Sequence, residues 1–323
     1  MTLDSTLAHT QLLGAGGAVI AFDVGGTDTK SALFDETGRM LGLTRTPTPH
    51  RGADTATAVL EHVQELTLQK AREFPAVRPV AAGLIVPGLV DDDRGIGIHA
   101  TNLNWSDVPF KQLVEARLGI PASFSHDVRA AGQAEHRLGA ARPYNDVVVM
   151  VIGTGIASAL FIDGRPYIAG GYAGEIGHSV VDPAGPLCSC GAHGCLESIG
   201  SAGAIARRYQ ERTGIKPSGA KEVLELAKDG DVAAGEVWSD ALNALALSIA
   251  QLTAVLAPQA VVIGGGLAQA GDALFVPLRE RVDALLSFHR RPELVPASIG
   301  ENAGLFGAAL RARDLVGDAG SSS

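Results

Sequence analysis

The 323-residue chain predicts a two-lobed α/β protein, and three observations carry that expectation. Strand-like apolar runs alternate with helix-like segments throughout, which is the pattern of α/β layers. The length exceeds what one small core organises and suits two lobes of ordinary size. A repeat then makes the lobes alike. Shifting the chain by 127 positions lays Gly26 on Gly153 and Thr27 on Thr154, and Ser31-Ala32-Leu33-Phe34 on Ser158-Ala159-Leu160-Phe161. In residues 18–35 and 147–164 alike, a β-branched apolar run meets a Gly/Thr turn and returns as a second strand, which reads as a hairpin. Two ordinary hairpins would explain either segment alone; their joint occurrence favours a repeated topology.

The remaining elements follow in order. Residues 54–74 form an amphipathic helix with Val59, Leu60, Val63 and Leu66 on its apolar side, and His62 and Lys70 are expected in solvent. Residues 81–93 read as a strand and a Pro-Gly turn, and 122–125 as a strand ahead of a helix that Asp127 opens. A helix over 196–208 carries Glu197, and 236–257 form a long apolar helix stopped by Pro258. A buried strand then runs into Gly264-Gly265-Gly266, and the segment 301–314 is a helix with Ala308 and Ala309 closely packed. His99, His136 and His193 are expected on the surface or in loops.

The Gly-rich turns matter because backbone N–H groups without obstructing side chains can converge on phosphate oxygens, and Thr27 and Thr154 add hydroxyl donors. Neither turn is a Walker A loop, and no G-x-G-x-x-G follows the first strand. A strand ending in glycines is also where α/β proteins hold ligands, with a tight strand-to-helix turn as the alternative reading of Gly264–Gly266 taken alone.

Every cysteine of the chain falls in one run with a histidine: His178, Cys188, Cys190 and Cys195. Three thiolates and an imidazole are a complete tetrahedral ligand set for zinc, with no position left for a catalytic water, so the expected metal is structural. Charge narrows the remaining classes. The 26 Lys+Arg against 35 Asp+Glu leave −9, a poor match to a surface that contacts nucleic-acid phosphates. No uninterrupted apolar run is long enough to span a bilayer, and the first 17 residues lack the pattern of a secretion signal. Cysteines committed to one cluster fit a reducing cytoplasm.

DVGGTDTK at 23–30, GEIGH at 174–178 and the C-x-C-G-x-x-G-C-L-E block at 188–197 together resemble the ROK family of sugar kinases and sugar-responsive repressors. The resemblance runs over about 19–311. It implies an actin-like, hexokinase-type (ribonuclease H-like) fold of duplicated α/β domains with a ligand cleft between them. The expected domains are 18–124 with a returning C-terminal helix at about 302–315, and 125–301 with the zinc loop; residues 1–17 and 316–323 are expected to be flexible. Only about seventeen residues precede the first hairpin, too few for the repressors' winged-helix segment, so the kinase branch is expected.

The activity implied is transfer of the γ-phosphate of MgATP to the 6-hydroxyl of an aldohexose, glucose first. The resemblance gives Asp127 the general-base role; from the residues alone it also suits a helix N-cap. An Asp of ordinary pKa is a weak base toward a hydroxyl and accepts the proton late. For the sugar the resemblance carries over Asn102, Asp127, Glu175, His178 and Glu197, with His178 serving zinc through one ring nitrogen and sugar through the other. Glu197 read without the family is a charge on a helix. For ATP it implies Gly25, Gly26, Thr27, Gly153, Thr154 and Gly155 at the phosphates and Gly265 and Gly266 near the adenosine. Asp23 is the outer-sphere Mg²⁺ partner, and Lys30 serves the nucleotide or pairs with an acid. His126 stands where these kinases carry a sugar-binding Asn, and an imidazole does not reproduce an amide's paired donor and acceptor. Other sugars, polyphosphate as donor, and a non-enzymatic sugar sensor stay open at this point. The resemblance also implies a homo-oligomer, with no nucleic-acid or membrane partner.

Overall fold

A computed structural model describes residues 13–320; of the ends expected to be flexible, 1–17 and 316–323, residues 1–12 and 321–323 lie outside the described residues. The chain divides into two compact units, one of residues 13–134, 168–172 and 301–320, the other of 135–167 and 173–300.

In the first unit β1 (Val19–Val24) and β2 (Asp28–Phe34) make the expected hairpin, and β3 (Met40–Pro47) extends it antiparallel. Helix α1 (Thr55–Glu73) leads to β4 (Ala81–Val86), which lies parallel to β1 on its other side. Strands β5 (Leu89–Asp91), β6 (Ile96–Ala100) and β7 (Trp105–Val108) form a small antiparallel sheet. Helix α2 (Phe110–Leu118) stops at left-handed Gly119, and β8 (Ala122–His126) joins parallel to β4 ahead of α3 (Asp127–Leu138). The sheet order is β3-β2-β1-β4-β8.

The second unit repeats this plan. Strands β9 (Val147–Ile152), β10 (Ile156–Ile162) and β11 (Arg165–Tyr167) are antiparallel neighbours. Helices α4 (Leu196–Gly200), α5 (Ala202–Thr213), α6 (Ala220–Lys228) and α7 (Val232–Leu256) lead to β12 (Ala260–Gly264), parallel to β9. Helix α8 (Asp272–Leu285) then leads to β13 (Glu293–Pro296), parallel to β12. The order β11-β10-β9-β12-β13 matches the first sheet strand for strand. The repeated Gly/Thr turn therefore marks a repeated sheet. Helix α9 (Ala303–Gly320) closes the chain and belongs to the first unit, running past the expected end at 315.

Strands β4 and β12 are buried at every residue, which is why they read as unbroken apolar runs. Fully buried Ile20, Phe22, Leu33 and Leu84 anchor the first core, each worth about 1.5–3 kcal/mol of burial. In the second, Val237, Ala241, Leu245 and Ile249 put one stripe of α7 into the core. Among the described residues α7 alone is long and apolar enough, by length and composition, to cross a membrane, with half of that window buried inside the unit. Its Glu236 and Asp240 interrupt the apolar run and pair with Arg212, and Asp240 also with Arg208.

Several sequence expectations need correction. Lys70 is buried at 1% exposure, its Nζ donating to Thr44 Oγ1 and to Glu73 at 3.3 Å. His62 is half-buried, with Nε2 2.7 Å from Thr46 Oγ1. The helix expected over 196–208 breaks at Ser201, whose extended backbone makes it the N-cap of α5, accepting from Ala204 N–H at 3.0 Å. Helix α7 starts at Val232, earlier than expected, because Asp231 caps it by accepting from Ala234 N–H at 2.8 Å. His136 is not a loop residue: it lies on α3 with its ring stacked on Phe161 at 4.2 Å.

Ala308 and Ala309 are fully buried, and α9 lies so close that a β-carbon at Gly83 of β4 would collide with the Ala308 carbonyl. Gly83→Ala is therefore expected to lower stability by about 1–3 kcal/mol. Gly235→Ala in α7, where open space surrounds the glycine, is expected to raise it by about 0.5–1 kcal/mol. Urea midpoints moving in opposite directions would bear this out; equal midpoints would show that the α9 contact relaxes freely.

Candidate active site

In the first unit the parallel strands β1, β4 and β8 end side by side, with Asp23 opposite Ile85 and Val86 opposite His126. Asp127 follows directly as the first residue of α3. Its Oδ1 accepts from the Val128 N–H at 2.6 Å, and the same N–H lies 3.2 Å from His126 Nδ1. His126 is buried with Nδ1 also 3.2 Å from Asp127 Oδ1. Burial pushes the Asp127 carboxyl up to about 6, against the opposing pull of the Val128 N–H and the Arg129 guanidinium. Asp127 is thus a better base than an ordinary aspartate. Asp23 rises to about 7, chiefly through burial and then through the negative charge of Asp127, with Lys30 and Arg45 opposing.

The first Gly turn is held from behind. Gly25 N–H donates to the Asp28 carbonyl at 2.9 Å, Thr48 Oγ1 to the Gly25 carbonyl at 2.8 Å, and Thr48 N–H to the Thr27 carbonyl at 2.8 Å. His50 Nε2 lies 2.9 Å from the Gly26 carbonyl. Thr48 and His50 had no signal in the sequence, since they reach the turn only because β3 returns beside β2. Asn102, in the bend between β6 and β7, comes so near that a β-carbon at Gly26 would lie 2.8 Å from its Nδ2. Lys30 sits opposite Asp23 in the hairpin and donates to the Glu301 carbonyl. Asp23, Gly25, Gly26, Thr27, Lys30, Asn102, His126 and Asp127 are thus all residues of the first unit.

In the second unit Gly153 N–H donates to the Gly155 carbonyl at 2.9 Å, and Ala202 N–H to the Gly153 carbonyl at 2.9 Å. Glu197 Oε2 accepts from the Ile156 N–H at 2.8 Å, and a β-carbon at Gly155 would collide with that oxygen. Only glycine admits the carboxylate here. A β-carbon at Gly203 would lie 2.7 Å from the Thr154 carbonyl, so α5 also bears on the turn. Gly265 has φ +84 and packs on the backbone of Ile152, while Gly266 faces open space; register places Gly264 opposite Val151. The second turn and the third glycine element therefore meet at the ends of β9 and β12.

The ligand atoms of His178, Cys188, Cys190 and Cys195 lie within 4.8 Å of one another. Cys188 Sγ is 3.6 Å from His178 Nδ1, and Cys190 Sγ is 3.6 Å from Cys195 Sγ. Tetrahedral zinc with Zn–S of about 2.3 Å needs sulfur separations of about 3.8 Å, so the four residues fit the ion. Burial pushes the Cys195 thiol up to about 12, whereas the Ala192 N–H holds Cys190 below its ordinary value. His178 turns Nδ1 toward Cys188 and keeps Nε2 for another partner. Glu175 is half-buried just ahead of it, its carbonyl accepting from His178 N–H at 3.0 Å.

Comparison with known proteins identifies the family. The model of the ROK family matches residues 19–314. A glucokinase of Thermotoga maritima is 33% identical over 93% of this chain and 98% of its own. The crystal structure of a ROK family glucokinase from Streptomyces griseus, in complex with glucose and AMPPNP, superimposes with TM-score 0.78 at 29% identity, covering 92% of this chain and all of that one. An N-acetylglucosamine repressor of Escherichia coli is 28% identical over 92% of this chain and 76% of its own.

Asp23 and Asp127 both have folded-state pKa values above their unfolded ones. The stability they confer is present below about pH 4 and is lost as pH rises through about 6 to 7. Asp23→Asn removes the charge that causes that loss. Its urea midpoint is expected to exceed wild type at about pH 8 and to match it at about pH 4. A variant less stable than wild type at the higher pH would contradict the account of Asp23 as a costly buried charge.

Proposed function

The chain belongs to the ROK family and is a sugar kinase, and from that premise we propose that it transfers the γ-phosphate of MgATP to the 6-hydroxyl of an aldohexose, glucose first. The observation that carries this reading is Asp127, a half-buried carboxylate at the end of a parallel strand with its pKa raised to about 6. A general base works best when its pKa lies near the operating pH while it remains ionised. The sugar oxygen bonds to the γ-phosphorus, the bond from that phosphorus to the ADP oxygen breaks, and the hydroxyl proton passes to Asp127.

The two Gly turns offer backbone N–H groups to the phosphates, and the open space at Gly266, next to the tightly packed Gly265, would leave room for the adenosine. Asp23 suits a Mg²⁺ partner: the negative charge of Asp127 adds to burial in raising its pKa, which marks a site short of positive charge. When bound, Mg²⁺ neutralises the developing phosphate charge. Asn102, Glu175, His178 and Glu197 would hold the sugar hydroxyls, Glu197 using the oxygen not committed to Ile156. Zinc on His178, Cys188, Cys190 and Cys195 would supply a fixed crosslink and hold the His178 ring in one orientation. A cytoplasmic setting fits the thiol cluster. Another hexose remains a second reading because buried His126 replaces the amide that the resemblance leads one to expect.

Two measurements test the reading. ADP release from MgATP across a panel of hexoses should show turnover, and Asp127→Asn should lose at least about a hundredfold in kcat while sugar affinity changes little. Absence of turnover on every sugar, with sugar binding intact by calorimetry, would favour the regulatory branch represented by the E. coli repressor. Metal analysis should give about one zinc per chain, and its chelation should lower the melting temperature. Metal-free protein that stayed folded and bound sugar normally would overturn the structural role.

A further inference from the structure

Behind Asp127 the first unit holds a buried ionic network that the reaction described above leaves unused. Arg129 lies two residues along α3 and is 6% exposed, and the Asp92 side chain is wholly enclosed. Arg129 Nη2 donates to Asp92 Oδ1 at 2.7 Å and to the Val90 carbonyl at 2.8 Å; Nη1 donates to the Gly171 carbonyl at 3.1 Å. Asp92 Oδ2 accepts from the Ser125 hydroxyl at 2.6 Å and lies 3.0 Å from the Arg311 guanidinium on α9. Ser125 precedes Asp127 by two residues on β8, and Arg129 follows it by two. The network therefore grips the chain on both sides of the carboxylate.

A buried ion pair is a poor way to gain stability, because apolar residues of the same volume usually do as well. Its value here must lie in what it holds. Arg129 spends its guanidinium on three acceptors in two separate segments, Val90 with Asp92 and Gly171, a task that suits the planar fork better than lysine's single nitrogen. The charged groups around Asp127 are Asp23 on β1, His126 on β8, and Arg129 itself, with Lys30 and Arg45 placed against Asp23 and with Asp92 and Arg311 behind. Of these, Arg129 pulls Asp127 toward its ionised form, against burial.

We propose that Arg129, held by Asp92, is a positioning residue for phosphoryl transfer: it fixes the first turn of α3 so that Asp127 meets the attacking hydroxyl, and it supplies the fixed positive charge that keeps Asp127 ionised. This rests on the reading of Asp127 as the base. Carboxyl-carbon NMR titration of the ligand-free protein reads the charge state directly, with Asp127→Asn identifying the resonance. In R129Q the Asp127 midpoint should rise by about one pH unit, and kcat near neutrality should fall about 10- to 100-fold while the sugar KM changes less than about threefold. R129K should keep the midpoint near wild type yet remain slow. D92N, which removes the anion that compensates Arg129, should move the midpoint down.

An unmoved midpoint in R129Q overturns the proposal, as does full turnover in R129K. Should R129Q fail to fold, D92N decides: a midpoint that does not fall sinks the electrostatic link. Loss of turnover in Asp127→Asn with an unmoved midpoint in R129Q rejects the Arg129 role alone. Retained turnover in Asp127→Asn rejects the base assignment and the positioning role together.

Discussion

Two carboxylates, Asp23 and Asp127, share one end of the first sheet, and both are partly withdrawn from water. Burial raises both, and Asp127 raises Asp23 further. Such a pair survives only if the surroundings supply compensating charge. For Asp23 that charge comes across the hairpin from Lys30 and Arg45, both tied to Glu301 at the entry to α9. For Asp127 it comes from Arg129, itself balanced by Asp92. Even α9 yields to this constraint: a β-carbon at Gly304 would lie 2.7 Å from Asp23 Oδ2, so the helix passes the carboxylate at a glycine. Two sets of ion pairs and a helix crossing are arranged around one acidic edge.

Much of the fold was legible because the signals were local. The Gly/Thr turn and the Ser-Ala-Leu-Phe strand recur with one offset, and the two sheets share one strand order. The gathering of His178 with the three cysteines was legible from ligand type alone, since these residues have few other reasons to cluster. What escaped was what each element meets. Lys70 continues the Val63, Leu66 spacing onto the buried side of α1, so periodicity marked its face. Its charge argued for solvent, and the Thr44 hydroxyl on a strand 26 residues away decided the matter. Likewise Thr48 and His50 hold the first Gly turn from across the sheet, and no spacing rule reaches that far. Asp127 was found by motif, but its raised pKa depends on neighbours in three dimensions.

The two Gly turns are alike in sequence and are secured by different means. In the first unit side chains at the end of β3 take the turn's carbonyls, so the turn depends on the sheet itself. In the second the work falls to α4 and α5, which begin at a cysteine of the His178 cluster. Cys195 is the N-cap of α4, Glu197 takes the Ile156 N–H, and Ala202 takes the Gly153 carbonyl. Eight residues, 195–202, thus run from the thiolate cluster to the turn without an intervening loop. A metal crosslink at Cys195 would fix the start of α4 and, through Glu197, the backbone that follows Gly155. The same carboxylate is proposed for the sugar through its other oxygen. On that proposal a metal bound there would shape the sugar side and the phosphate side of the second unit through one side chain, which would explain why a closed, non-catalytic ligand set belongs next to a kinase site.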